Sequence, residues 1–207
     1  MTQHYYEYVA AEVTWHEARQ LASQRTYQGE KGYLATIPTV RENLFLTSNF
    51  ATPSMNRLAW IGAYEPNNDS AWVWSDGPEA GERFSQSEHP VFPSFYVNWG
   101  GNEPDSGALN EDFVVINLGI SFAGIGTGEW SAVAANPSGT NAVRGFLVEY
   151  GGLTTVPEPP TTGISIVAVN LLLSRSLRTR QRRSTNDQRA FHVHVFLRRK
   201  STAFGSR

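Results

Sequence analysis

Glu103 and Glu111 are the residues of this 207-residue chain whose type and spacing come nearest to catalytic chemistry. Two carboxylates can divide the work of a general acid and a general base. Asp105 and Asp112 stand beside them, so the plain reading of the cluster is a solvated acidic rim. Nothing else in the chain supports catalysis. It has no Gly-rich phosphate loop and no Gly-x-Ser-x-Gly. Cysteine is absent, which excludes thiol catalysis, iron–sulfur clusters, Cys-ligated zinc and a disulfide scaffold. His16 and His89 have no His or Cys companion at metal spacing and read as surface or structural residues. The chain is read as a non-enzyme.

Charge divides the chain. Residues 1–150 hold seven basic and 17 acidic side chains, net −10, together with all six Trp and all eight Tyr. Residues 151–207 hold ten basic and two acidic ones, net +8. An acidic, aromatic domain therefore precedes a basic tail. The acidic sign argues against nucleic acid as the domain's partner, because phosphates need the opposite charge.

Around the acids the pattern is one strand, two helices, then strands only, which is α+β. Residues 5–13 read as the first strand. Thr14 with Glu17 forms a capping box that opens a helix, with Trp15, Ala18, Leu21 and Ala22 on its inner face. Gly29 and Gly32 end it, and 33–37 reads as a short strand. A second capping box, Thr39 with Glu42, opens a helix through Leu44, Phe45 and Leu46. Residues 58–63 and 71–74 read as buried strands separated by turn residues. From about Gly77 to Ala108 the chain reads as a long irregular loop, and long loops in compact domains usually carry function. Strands follow at 113–116, 129–130 and 144–150.

Taken in order, several motifs resemble the C-type lectin-like domain. They are Tyr6, then Thr14-Trp15-His16-Glu17-Ala18, then Gly32-Tyr33-Leu34-Ala35-Thr36-Ile37. Trp60-Ile61-Gly62 follows, and then Asn98-Trp99 ahead of Glu103-Pro104-Asp105. The series closes with Glu111-Asp112-Phe113-Val114, Gly128-Glu129-Trp130 and the run from Gly145 to Tyr150. The resemblance spans residues 4–152 and implies two helices flanking antiparallel sheets with a long irregular loop. Animal members hold four cysteines where this chain has Ala22, Phe113, Ala135 and Val148, so it looks more like bacterial members of the fold. Packing must then replace two bridges that typically contribute roughly 2–5 kcal/mol each.

In sugar-binding members a calcium ion in the long loop takes two vicinal hydroxyls. The resemblance implies Glu103, Asp105 and Glu111 as ligands of that ion and Asp112 as a ligand of a neighbouring one. Pro104 would follow a cis peptide bond. It also implies Glu103, Asp105, Glu111 and Trp99 as the ligand-binding residues. The family's Asn-Asp pair after the closing Trp is replaced here by Ser131 and Ala132, and a further acid by Ser106. Calcium wants six to eight oxygens, so the expected ion is weakly held. Glu65-Pro66-Asn67 carries similar letters but reads as a turn. Trp72 and Trp74 read as core for at least one of the two, a sugar face being the alternative.

The tail divides into a Pro-rich linker (153–162), a short apolar segment with an Arg cluster (163–183) and a basic, disordered end (184–207). Val156-Pro157-Glu158-Pro159, the apolar run and the Arg cluster resemble the bacterial PEP-CTERM sorting signal. The apolar run is shorter than the roughly 20 residues that span a bilayer. Residues 1–9 lack a secretory signal's features, so the exterior setting that the resemblance implies points to a start further upstream. The expected function is non-catalytic, calcium-assisted carbohydrate recognition at the cell exterior. The alternatives are a calcium-independent module that binds a surface protein, and an envelope protein whose residues 163–183 associate with membrane.

Overall fold

β1 (His4–Ala10) and β10 (Val143–Gly151) run antiparallel along their full lengths and close the two ends of the domain on each other. The computed structural model describes residues 4–52, 56–91, 96–105, 110–121, 124–137, 142–152 and 194–197. α1 (Trp15–Ser23) follows β1, then β2 (Thr26–Tyr27), β3 (Glu30–Leu34) and α2 (Val40–Phe50). The rest are strands: β4 (Leu58–Tyr64), β5 (Ala71–Trp74), β6 (Arg83–Gln86), β7 (His89–Pro90), β8 (Phe113–Asn117) and β9 (Trp130–Val133) precede β10, and β11 (His194–Leu197) comes last. The sheet runs β11-β1-β10-β4-β5-β6-β7, with β3 added to β10 and the β8–β9 pair added to β4. The expected α+β class holds, and the sheet is mostly antiparallel. β10 and β4 are parallel, a departure from the antiparallel expectation.

The sheet is buried on both faces, and alternation sorts the side chains. In β4, Leu58 and Trp60 face one core cluster, while Ala59, Ile61 and Ala63 face the other. α1 covers the first face with Trp15, Ala18 and Ala22. α2 covers the second with Leu46 and Phe50. Each fully buried large side chain contributes about 1.5–3 kcal/mol of transfer free energy. The two clusters stand in for the missing bridges: Ala22 and Val148 both lie in the α1 cluster, and Phe113 packs on it 4.8 Å from the Trp15 ring. Trp15 Nε1 donates to Ile61 O and Trp60 Nε1 to Val13 O, which ties the start of α1 to β4 twice.

Helix boundaries follow the caps. Thr14 and Glu17 make the reciprocal box as expected. At α2 the Thr39 hydroxyl accepts from Glu42 N but donates to the Glu42 carboxylate, so the expected second box is one-sided. Leu21, expected on the inner face of α1, is exposed, as is Leu44 of α2, because each helix buries only one stripe against the sheet. α1 ends at Ser23, ahead of the glycines expected to stop it; Gln28 and Gly29 (φ 52° and 85°) instead form the β2–β3 hairpin turn.

Two expectations of irregular chain are corrected. The loop expected over 77–108 contains β6 and β7. Phe84 is the only apolar residue of β6, so its strand state comes from pairing with β5. The end expected to be disordered (184–207) contains β11, which pairs antiparallel with β1 from His4↔Leu197 to Glu7↔His194. The linker (153–162) and the apolar and Arg-rich segment (163–183) lie outside the described residues. Among the described residues no helix is long and apolar enough to cross a membrane.

Candidate functional site

The segment from Asn98 to Pro104 is laid along β9. Trp99 bridges to Trp130 in parallel fashion, Trp130 N donates to Asn98 O (2.8 Å), and Gly100 N donates to Trp130 O (2.9 Å). A Cβ at Gly100 would meet the Ile125 side chain at 3.1 Å, so a larger residue there needs Ile125 to give by a few tenths of an ångström. Asn98 Nδ2 donates to Gly128 O (2.7 Å), and Asn102, at φ 67°, turns the chain towards Glu103. The Glu103–Pro104 peptide is cis, as the resemblance implies.

Glu103 is half-buried. Its Oε1 accepts from Ser131 Oγ and its Oε2 from Ala132 N, both at 2.9 Å. Burial pushes its carboxyl above the ordinary range, and the two donors pull the other way. Glu111 is pushed up to about 7, first by burial, then by its hydrogen bond with Asp105, then by the charges of Asp105 and Glu103. The structure thus brings Glu103, Asp105 and Glu111 into mutual influence. Asp112 contributes through its backbone: its carbonyl accepts from Glu65 N (2.8 Å). Ser106 lies outside the described residues. Among the described residues no group of three or more His, Cys, Asp or Glu is placed to hold a metal ion. As arranged, the donor set does not match a calcium shell.

Trp99 is half-buried. Its ring packs 5.1 Å from Trp72 and 5.9 Å from Trp130, and its Nε1 donates to Ser85 Oγ. Beside it opens a cavity of about 500 Å³ lined by Glu88, Asn98, Trp99, Asn102, Glu103 and Pro104, among others. It is a groove with one aromatic wall and several polar groups. Trp72 and Trp74 are both core residues, and neither indole N–H has a partner among the described residues. Glu65 caps its turn by accepting from Ser70 N, as expected of turn chemistry. His16 lies against Trp15 and Phe113, and His89 pairs with Glu88.

Ser131 and Ala132 were read from the sequence only as missing ligands, and the structure makes them donors. No local pattern marks them, because the bond to Glu103 closes across 28 positions. Asn43 was also missed. It accepts from Trp130 Nε1 (2.9 Å) and donates to Gly128 O (3.0 Å), which holds β9 against α2.

A sequence profile described as lectin C-type domain matches residues 11–138. Halomucin of the archaeon Haloquadratum walsbyi is 36% identical over 152 residues, covering 73% of this chain and 2% of that protein. Lectin BRA-3 of Megabalanus rosa is 36% identical over 103 residues, covering 50% of this chain and 54% of that one. The chain therefore spans about half, or far less, of the length of these relatives. The crystal structure of C-type lectin CEL-I from Cucumaria echinata has a similar fold (TM-score 0.50, 18% identity, covering 71% of this chain and 89% of that one).

Proposed function

Because this chain belongs to the lectin C-type domain family, we propose that it is a non-catalytic carbohydrate-recognition module acting outside the cell. The observation that carries the reading is the groove of about 500 Å³ beside Trp99. A sugar ring offers an apolar C–H face and a rim of hydroxyls. Trp99 supplies an aromatic surface for the first, and Asn98, Asn102 and Glu88 supply polar groups for the second. The relatives support the reading: BRA-3 is named a lectin, and so is a protein of Pleurodeles waltl that is 33% identical over 102 residues.

Two mechanisms would seat a sugar here. In one, a calcium ion on Glu103, Asp105 and Glu111 bridges to the hydroxyls; in the other, the protein holds the sugar directly. They differ in what holds Glu103. The test is an array of neutral, amino-bearing and acidic glycans probed with the full chain, in calcium and in chelator. Binding to one class is expected, weakened about tenfold or more by Trp99→Ala and by Asn102→Ala in variants whose cooperative melts show them folded. A folded chain that binds no glycan under either condition overturns the reading and favours a surface-protein partner.

A further inference from the structure

We infer that internal donors brace the long loop in place of a metal ion, and that ligand binding in the groove is independent of calcium; the second half rests on the carbohydrate reading. Glu103 is the centre of the brace. Both of its carboxylate oxygens accept from the same strand, one from the Ser131 hydroxyl and one from the Ala132 amide. Calcium needs six to eight oxygen ligands. At this place the chain presents an O–H and an N–H, both with the positive end of the dipole towards the carboxylate. An amide N–H cannot ligate a cation, and an ion in its place would face the donor's positive end. Among the described residues, Asp105 and Glu111 do not converge with Glu103 on one point that could hold a metal ion.

The bracing is mechanically complete. Ser131 and Ala132 are almost fully buried, and Trp130 beside them is anchored to Asn43 on α2. On the other side, Glu103 N donates to Gly100 O, and Gly100 N donates to Trp130 O. The Glu103 carboxylate is therefore positioned by the strand that its own loop is paired to. A metal ion would orient that loop in the same way, and here the work is already done by two residues. Ser131 is a positioning residue.

The experiment uses the full chain and calcium itself as probe. Calorimetric titration to about 10 mM calcium, above the weak end of extracellular sites, is expected to give no saturable heat. Thermal melts in that calcium and in chelator are expected to agree to within about 1 °C. Ser131→Ala is expected to speed hydrogen exchange at the Ala132 amide about five- to tenfold, and Ser131→Thr, which keeps the hydroxyl, to leave it near the parent rate. Saturable calcium heat that disappears in Glu103→Gln overturns the inference, as does unchanged exchange in a folded Ser131→Ala. Should Ser131→Ala not fold, the calcium titration of the parent decides alone. Glycan binding that survives chelator supports the inference. Binding lost in chelator and restored by calcium overturns it and leaves the carbohydrate reading standing. A calcium-silent chain with the expected exchange and no glycan bound keeps the brace and removes the carbohydrate reading.

Discussion

Trp130 Nε1 donates a 2.9 Å hydrogen bond to Asn43 Oδ1, and through this bond α2 holds the strand that braces Glu103. The two residues are 87 positions apart and both are buried. The site is therefore tied to the core of the domain rather than hung on a free loop.

Asn43→Ala should destabilise the fold by about 1–3 kcal/mol, because it leaves the buried Trp130 N–H without an acceptor. Gly128 O keeps a donor in Asn98 Nδ2, so its loss adds little. Urea unfolding followed by Trp fluorescence measures the change, and a midpoint equal to the parent's would show that the bond contributes nothing.

Glu103→Gln replaces one acceptor oxygen with an NH2 group facing Ser131 Oγ or Ala132 N. The hydroxyl can turn to accept, but the amide cannot. Gln therefore fits with its NH2 aimed at Ser131 Oγ, and the change exchanges charge-assisted hydrogen bonds for neutral ones, so a cost of about 0.5–1.5 kcal/mol is expected, together with weaker groove binding. Parallel melts and binding curves would test both, and a variant at least as stable as the parent would contradict the bracing.

Stability should fall as pH rises from about 5 to 8. The Glu111 carboxyl lies at about 7 in the folded chain against an ordinary 4.5, and Glu103 and Glu79 are shifted the same way. A carboxyl with a raised folded value holds its proton more tightly when folded. Its stabilising contribution is complete below 4.5 and is lost as pH climbs through about 7. Glu111 is only partly buried, so screening limits its share to no more than about 1 kcal/mol. Asp105→Asn should raise Tm at pH 8 and flatten the profile; calorimetry across this range would reveal a profile unchanged by the variant if the pair is not coupled.

Gly62→Ala should cost about 1–3 kcal/mol through overpacking. A Cβ there would meet the Leu34 carbonyl oxygen at 2.5 Å, and that atom is backbone and cannot swing away. Denaturant melts check it, and a loss under a few tenths of a kcal/mol would mean that β3 shifts freely.

Much of the fold was legible because its signals are local. The Thr14–Glu17 box is closed by residues three apart, and β5 was read with its full bounds from Trp72, Trp74 and flanking turn residues. β6 was not legible, since its strand state is supplied by pairing with β5, and the short apolar run of β11, Val195-Phe196-Leu197, is set in basic chain that reads as a tail. The Glu149 site was equally hidden. Its buried carboxylate is met by His4 Nδ1 at 2.5 Å, by Tyr6 OH and by Thr36 N, groups more than 100 positions away.

The sequence by itself determined the class, the family resemblance and the address of the loop, because apolar periodicity, caps and short motifs depend on near neighbours. It also placed Glu103, Asp105, Glu111 and Trp99 in one region. Only the tertiary structure decided what those residues do there. Ser131 and Ala132 reach Glu103 because β9 is paired to β8 and pinned by Asn43, and Trp99 is half core and half wall because Trp72, Phe84 and Trp130 converge on it. A hydrogen bond acts over about 3 Å of space, whatever the separation along the chain.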